Sequence, residues 1–209
     1  MIKTIVIDFG GVLVRLNKQY CIDEYHRLGM DVIGNYINDY RSEDLFNDLE
    51  LGRIDIDEFC REARRQSGAE ASDEEIRNAW LILLQGVPRS KLDKILELRK
   101  RYRVLLLSNT NAFHWKFSLE NYFDGDLDKY FDKAYISYQL GMTKPDPGMF
   151  RYMLRDAGIK PEETLLLDDS LDNCRAAGKL GIRTWHIGEN EDWTLKISDR
   201  LQNLEGGQS

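Results

Sequence analysis

Cysteine is scarce. The 209 residues contain three, Cys21, Cys60 and Cys174, far apart and with no C-x-x-C pair. That excludes a disulfide framework and a zinc-ribbon pattern, and fits free thiols filling the core in a reducing cytoplasm. Long apolar runs are missing too, since none approaches the ~18 residues needed to cross a bilayer. The N-terminal apolar run meets Asp8 too early for a signal peptide. Positive charge is in deficit: 29 Lys and Arg stand against 36 Asp and Glu, a formal net charge of -7. A chain built to grip nucleic acid or an anionic membrane is excluded on that balance, although an anionic small substrate is not. There is no internal repeat and no low-complexity stretch. What remains is 42% hydrophobic, enough for a sizeable core and too apolar for a disordered chain. At roughly 150 residues per domain the length allows between one and two domains.

Three short apolar runs end in small polar residues. Residues 2–7 (IKTIVI) stop at Asp8-Phe9-Gly10-Gly11, 103–107 (RVLLL) at Ser108-Asn109-Thr110, and 164–167 (TLLL) at Asp168-Asp169-Ser170. Near-continuous runs of this kind are parallel strands buried on both faces. Residues 135–137 and 183–187 read as two further strands. Helices are expected over 89–101, 147–157 and 171–180, the last closed by Gly181. Strand and helix alternate, which gives an α/β fold with a doubly wound, Rossmann-like parallel sheet. The segment 16–87 breaks the alternation. It shows helical stretches at 18–28, 32–39, 55–66 and 73–84 and no strand. The expected organisation is therefore a core of residues 1–15 and 88–209 with a helical insert, 16–87, after the first strand. Residues 205–209 read as a loose end.

In open α/β sheets ligands bind beyond the carboxyl ends of the strands. Asp8, Ser108-Asn109 and Asp168-Asp169 all stand there. The loop Gly141-Met142-Thr143-Lys144-Pro145-Asp146-Pro147 follows the 135–137 strand. If the strands are neighbours, three carboxylates and one ammonium share a crevice, and the carboxylates repel unless a cation neutralises them. Hard oxygen ligands in small number suit Mg²⁺. The implied chemistry is phosphoryl transfer, with Asp8 attacking phosphorus and Lys144 steadying the transferring oxygens.

Taken in order, Asp8-Phe9-Gly10-Gly11-Val12-Leu13, Leu107-Ser108-Asn109-Thr110, Lys144-Pro145-Asp146-Pro147 and Leu167-Asp168-Asp169-Ser170 with Asn173 resemble the four motifs of the haloacid dehalogenase-like hydrolase superfamily. The helical insert is similar to that family's cap domain. The opening motif and the phrase Glu50-Leu51-Gly52-Arg53 with Glu58-Phe59 look most like the branch that includes bacterial glucose-1-phosphate phosphatases. The resemblance implies a cytoplasmic, Mg²⁺-dependent phosphomonoesterase acting on a small phosphorylated metabolite, such as a sugar phosphate. It implies Asp8 as nucleophile and metal ligand, the Gly10 carbonyl and Asp169 as further metal ligands, and Ser108 and Asn109 as holders of the phosphoryl oxygens. Lys144 would bridge Asp8 and phosphate, with Asp168 and Asn173 in support.

One position departs from the pattern. Most phosphatases of this family carry a second Asp two residues after the nucleophile, which protonates the leaving group. Here it is Gly10. A good leaving group needs less help, and Asp23 or Asp44 are alternative acids. Dehalogenases of the superfamily also lack that Asp and displace halide without a metal. A weak phosphate-binding or regulatory protein is the third reading.

Each cluster also has a plainer reading. Strand-end Asp and Ser-Asn-Thr residues form turns and helix caps, and Asp168-Asp169-Ser170 can cap the next helix. His26, His114 and His186 have no metal-ligand spacing and read as surface or packing residues. Trp80 and Trp115 either fill cores or line the crevice under the insert. Arg53 is either a surface arginine or a cation that meets substrate on closure. Ser72 with Glu75 has capping-box spacing.

Overall fold

The computed structural model describes residues 1–38, 45–189 and 191–206. Five strands, β1 (Thr4–Ile7), β2 (Arg103–Ser108), β3 (Lys133–Ile136), β4 (Thr164–Asp168) and β5 (Arg183–His186), form one sheet in the order β3-β2-β1-β4-β5. All four pairings are parallel. The apolar runs alternate across it. Ile5, Ile7, Val104, Leu106, Leu165 and Leu167 face one layer, and Val6, Leu105, Leu107 and Leu166 the other. Successive strand side chains point to opposite faces, so runs apolar at every position need cover on both. Helices supply it, as expected of a doubly wound sheet.

The helices are α1 (Lys18–Arg27), α2 (Asp31–Asn38), α3 (Leu45–Glu50), α4 (Ile56–Ser67), α5 (Asp73–Leu81), α6 (Arg89–Leu98), α7 (Ala112–Tyr122), α8 (Ser137–Leu140), α9 (Pro147–Ala157), α10 (Leu171–Gly178) and α11 (Ile197–Gly206). Asp55 caps α4, and Ser72 with Glu75 makes the expected capping box on α5. α9 starts at the Asp146 cap with Pro147 in its first turn and stops at Gly158, a left-handed C-cap at φ 63°.

Several expectations change. Ser137 does not end a strand. It opens α8, which Gly141 halts four residues later. α3, α7 and α11 were not expected, and Glu205 and Gly206 still belong to α11. Asp39 and Asp44 lie outside the described residues.

Helices α1 to α5 bury their own apolar cluster, with Cys21, Tyr25, Phe46, Phe59, Ile76 and Trp80 in it. The chain enters and leaves this helical unit side by side. Leu16 and Leu84 form an isolated antiparallel bridge, Arg15 N–H donates to Gly86 O (3.0 Å), and Gln85 N–H donates to Arg15 O (2.8 Å). Among the described residues no helix is long and apolar enough to cross a membrane.

Candidate active site

Strand order places the site. β1 lies between β2 and β4, so Asp8, Ser108 and Asp168 end adjacent strands, where the strand order reverses. Asp8 is 6% exposed, Lys144 1%, and Ser108 and Asp168 not at all. The Lys144 ammonium sits between two carboxylates, 2.8 Å from Asp8 Oδ1 and 2.7 Å from Asp168 Oδ2. Burial works against its charge, but Asp8 and Asp168 outweigh it and hold Lys144 above the ordinary lysine pKa.

Asp8 Oδ1 also accepts the Phe9 N–H at 2.7 Å, which leaves Oδ2 without a hydrogen-bond partner among the described residues. Asp168 has both oxygens engaged. Oδ2 takes Lys144, and Oδ1 takes the Ser170 N–H and the Asn173 amide, each at 2.9 Å. Asp169 is the exposed member of the pair. Ligand atoms of Asp8, Asp168 and Asp169 lie within 4.8 Å of one another.

Asn109 ties the lysine loop to the sheet. Its side chain donates to Lys144 O and accepts from Lys144 N–H, both at 2.8 Å, clamping the lysine loop to the end of β2. The helix after β2 is capped one residue beyond the expected turn, by Asn111, whose side chain accepts the His114 N–H. Ser170, not an acid, caps α10.

The haloacid dehalogenase-like hydrolase model matches residues 2–181. The chain belongs to that family. It is 39% identical over 201 residues to a D-ribitol-5-phosphate phosphatase of Bacteroides thetaiotaomicron, covering 95% of this chain and 98% of that one. It is also similar to the crystal structure of a HAD family enzyme from the same species in complex with magnesium and inorganic phosphate. That match has TM-score 0.86 and 39% identity, over 94% of this chain and 100% of the other. A predicted HAD-like hydrolase of Porphyromonas gingivalis matches at TM-score 0.88 and 38% identity, over 97% and 98%. These relatives do not specify the glucose-1-phosphate branch.

As a HAD-like hydrolase the chain has a donor set that fits Mg²⁺. Three carboxylates and one ammonium leave an excess of negative charge in a largely buried pocket. Burial, then Asp168 and Asp169, push Asp8 well above the ordinary carboxylate range against the pull of Lys144. Burial and Asp168 raise Asp169 as well. A divalent cation removes that repulsion, and oxygen-only ligands suit a hard ion.

Gly10 has no acid to offer, and hydrocarbon stands beside it. A Cβ there would lie 3.2 Å from Leu16 Cδ1. Asp23 accepts from Gln19 at 2.7 Å on an exposed part of α1. Arg53 is exposed and paired with Asp48 at 2.9 Å. Trp115 packs edge-on against Phe9, behind the Asp8 loop, at 5.7 Å. Trp80 stacks on His114 at 4.5 Å, and the His114 ring bonds Trp80 O at 3.1 Å. That histidine therefore joins α7 to the helical unit, and burial depresses its pKa to about 3.

His186, read from the sequence as a surface or packing residue, also stands at the site, as do Lys91 and Trp193, which the sequence did not single out. His186 ends β5 opposite Asp168, and its Nε2 lies 2.9 Å from Asp169 O. The strand-end rule would have found it. Lys91 Nζ bonds Val12 O and Trp193 Nε1 donates to the same carbonyl, anchoring the turn after Asp8. Gly11 is at φ +73°, and a Cβ there would lie 2.2 Å from Asp169 Oδ2, so only glycine lets that carboxylate close on the turn.

Proposed function

We propose that this HAD-like hydrolase is a Mg²⁺-dependent phosphomonoesterase acting on a small phosphorylated polyol or sugar. The observation that carries the reading is the Lys144 ammonium held between Asp8 and Asp168, with Asp169 completing the acid cluster. Asp8 uses the oxygen that lacks a hydrogen-bond partner. Its bond to phosphorus forms as the phosphorus–oxygen bond to the alcohol breaks, giving an aspartyl-phosphate that water then hydrolyses. Lys144 favours the ionised form of Asp8 and meets the phosphoryl oxygens, since a compact ammonium can face both. Ser108 and the Asn109 backbone N–H hold those oxygens. The Asn109 side chain positions Lys144. Asp8, Asp169 and the Gly10 carbonyl would hold Mg²⁺, with Asp168 and Asn173 in support. The ion supplies the positive charge that lets an anionic ester approach an anionic nucleophile.

The helical unit, residues 16–87, acts as the cap that selects the alcohol. The D-ribitol-5-phosphate phosphatase at 39% identity supports an open-chain polyol phosphate as first choice. With Gly10 beside Leu16, proton delivery to the leaving group falls to water or the cap. Halide displacement without metal has no use for the uncompensated acids at this edge.

Phosphate release is measured from D-ribitol 5-phosphate, glucose 1-phosphate and other sugar phosphates, with and without Mg²⁺. Release that needs Mg²⁺ and falls about 10⁴-fold or more in Asp8→Asn at unchanged melting temperature is expected. Wild-type turnover without metal, or near-normal turnover by Asp8→Asn, sinks the assignment.

A further inference from the structure

One buried hydroxyl joins the end of β2 to the helical unit. Ser137 Oγ is fully buried, 2.7 Å from Glu50 O and 2.8 Å from Thr110 O, and it accepts the Thr110 N–H at 2.9 Å. A serine hydroxyl carries one proton, so it can donate to only one of those carbonyls at a time. Thr110 belongs to the loop that follows Ser108 and Asn109. Glu50 ends α3, and Gly52 just beyond it is pressed against α8. With φ +69°, a Cβ on Gly52 would lie 2.5 Å from Tyr138 O. The helical unit therefore meets the sheet body at this loop, next to a nucleophile only 6% exposed and a lysine 1% exposed.

We propose that Ser137 is a positioning residue that holds the phosphate-holding loop in place while the helical unit opens and closes against the same hydroxyl. With the unit closed, the Ser137 proton goes to Glu50 O. When the unit lifts, the hydroxyl rotates and donates to Thr110 O, while the Thr110 N–H stays bonded to Oγ throughout. Opening then leaves no buried hydroxyl unsatisfied, which would otherwise oppose it. The loop therefore keeps its anchor in both states, because the atom that bonds the helical unit is also the atom that holds Thr110. The kinetic part of the proposal rests on the phosphatase reading, and the structural part does not.

Two variants attack the contact from opposite sides. Ser137→Ala removes the shared atom. Gly52→Ala pushes the helical unit away and leaves Ser137 and Thr110 intact. Amide hydrogen exchange followed by NMR on the full chain with Mg²⁺, without substrate, separates them. In Ser137→Ala, exchange should quicken about 10-fold both at residues 50–53 and at Thr110. In Gly52→Ala it should quicken at 50–53, with Thr110 within about 2-fold of wild type. Kinetics on D-ribitol 5-phosphate and para-nitrophenyl phosphate give the second reading. Ser137→Ala should lower kcat about 10-fold on both. Gly52→Ala should raise KM for the polyol phosphate and keep kcat on the aryl ester within about 2-fold. A Ser137→Ala protein that melts lower but keeps kcat and Thr110 protection overturns the proposal. If Ser137→Ala does not fold, loss of Thr110 protection in Gly52→Ala overturns it. Wild type that hydrolyses neither ester defeats the phosphatase reading, and exchange still judges Ser137.

Discussion

The carboxyl edge of the sheet and the helical unit handle charge in opposite ways. At the edge, Lys144, Asp8 and Asp168 are buried and each is held from several directions. Among the described residues of the helical unit, ion pairs such as Arg65–Glu62 and Arg27–Glu24 lie at the surface, around an apolar cluster. Exposed pairs contribute about 0–1 kcal/mol each, whereas a buried charge is costly unless fully partnered. The edge offsets that cost by pairing its charges with one another. The helical unit buries a closed apolar interior of its own.

The largest test of the contrast is Lys144→Ala. It leaves two buried carboxylates without their cation, so stability should fall by about 3–5 kcal/mol and kcat by about 10³-fold. Denaturant melts and phosphate release read both; a mild loss of either would make the edge no different from a surface pair. Next is Gly11→Ala, whose Cβ would collide with Asp169 Oδ2. The Mg²⁺ concentration for half-maximal activity should rise about 10- to 100-fold, and an unchanged metal titration would remove Asp169 from the metal site.

His114, where the two regions meet, gives a smaller and pH-dependent effect. Its folded pKa, about 3, is below the ordinary histidine value, so the unfolded chain takes up the proton first. Stability is full above about pH 6.5 and declines as pH falls toward the folded pKa, by about 2 kcal/mol between pH 6.5 and 5. His114→Gln should flatten that slope in urea melts at pH 7 and pH 5, and an identical slope would refute the burial argument. Smallest of all, Arg65→Ala on α4 should leave the melting temperature nearly unchanged and leave kcat alone. A larger loss would show that the outer pairs hold the helical unit together.

The sheet was legible because strands covered on both faces must be apolar at every position, and the polar residues ending them announce the edge. The helices that escaped did so for local reasons. In α7 the large apolar residues Phe113, Trp115, Phe117 and Leu119 fall at every second position, a strand period inside a helix. α3, at six residues, is too short to show a period. α11 carries Ile197, Leu201 and Leu204 at helical spacing, a signal that was present and not used. Within the site, the residues at the strand ends come together as expected. The bonds between distant segments were invisible: Ser137 to Glu50 spans 87 positions, and the Asn109 clamp on Lys144 spans 35. No local pattern encodes such contacts, because register and loop packing create them.

The bridged pair of segments at Leu16 and Leu84 makes the helical unit an exchangeable part. Its two ends are already side by side, so whatever lies between them closes a loop whose ends the sheet body has fixed. Loop-closure entropy grows only with the logarithm of length, so an insert half as long or twice as long could be grafted between the same two residues at little cost to the sheet. New substrate ranges could then arise by transplantation above an edge that never changes its chemistry.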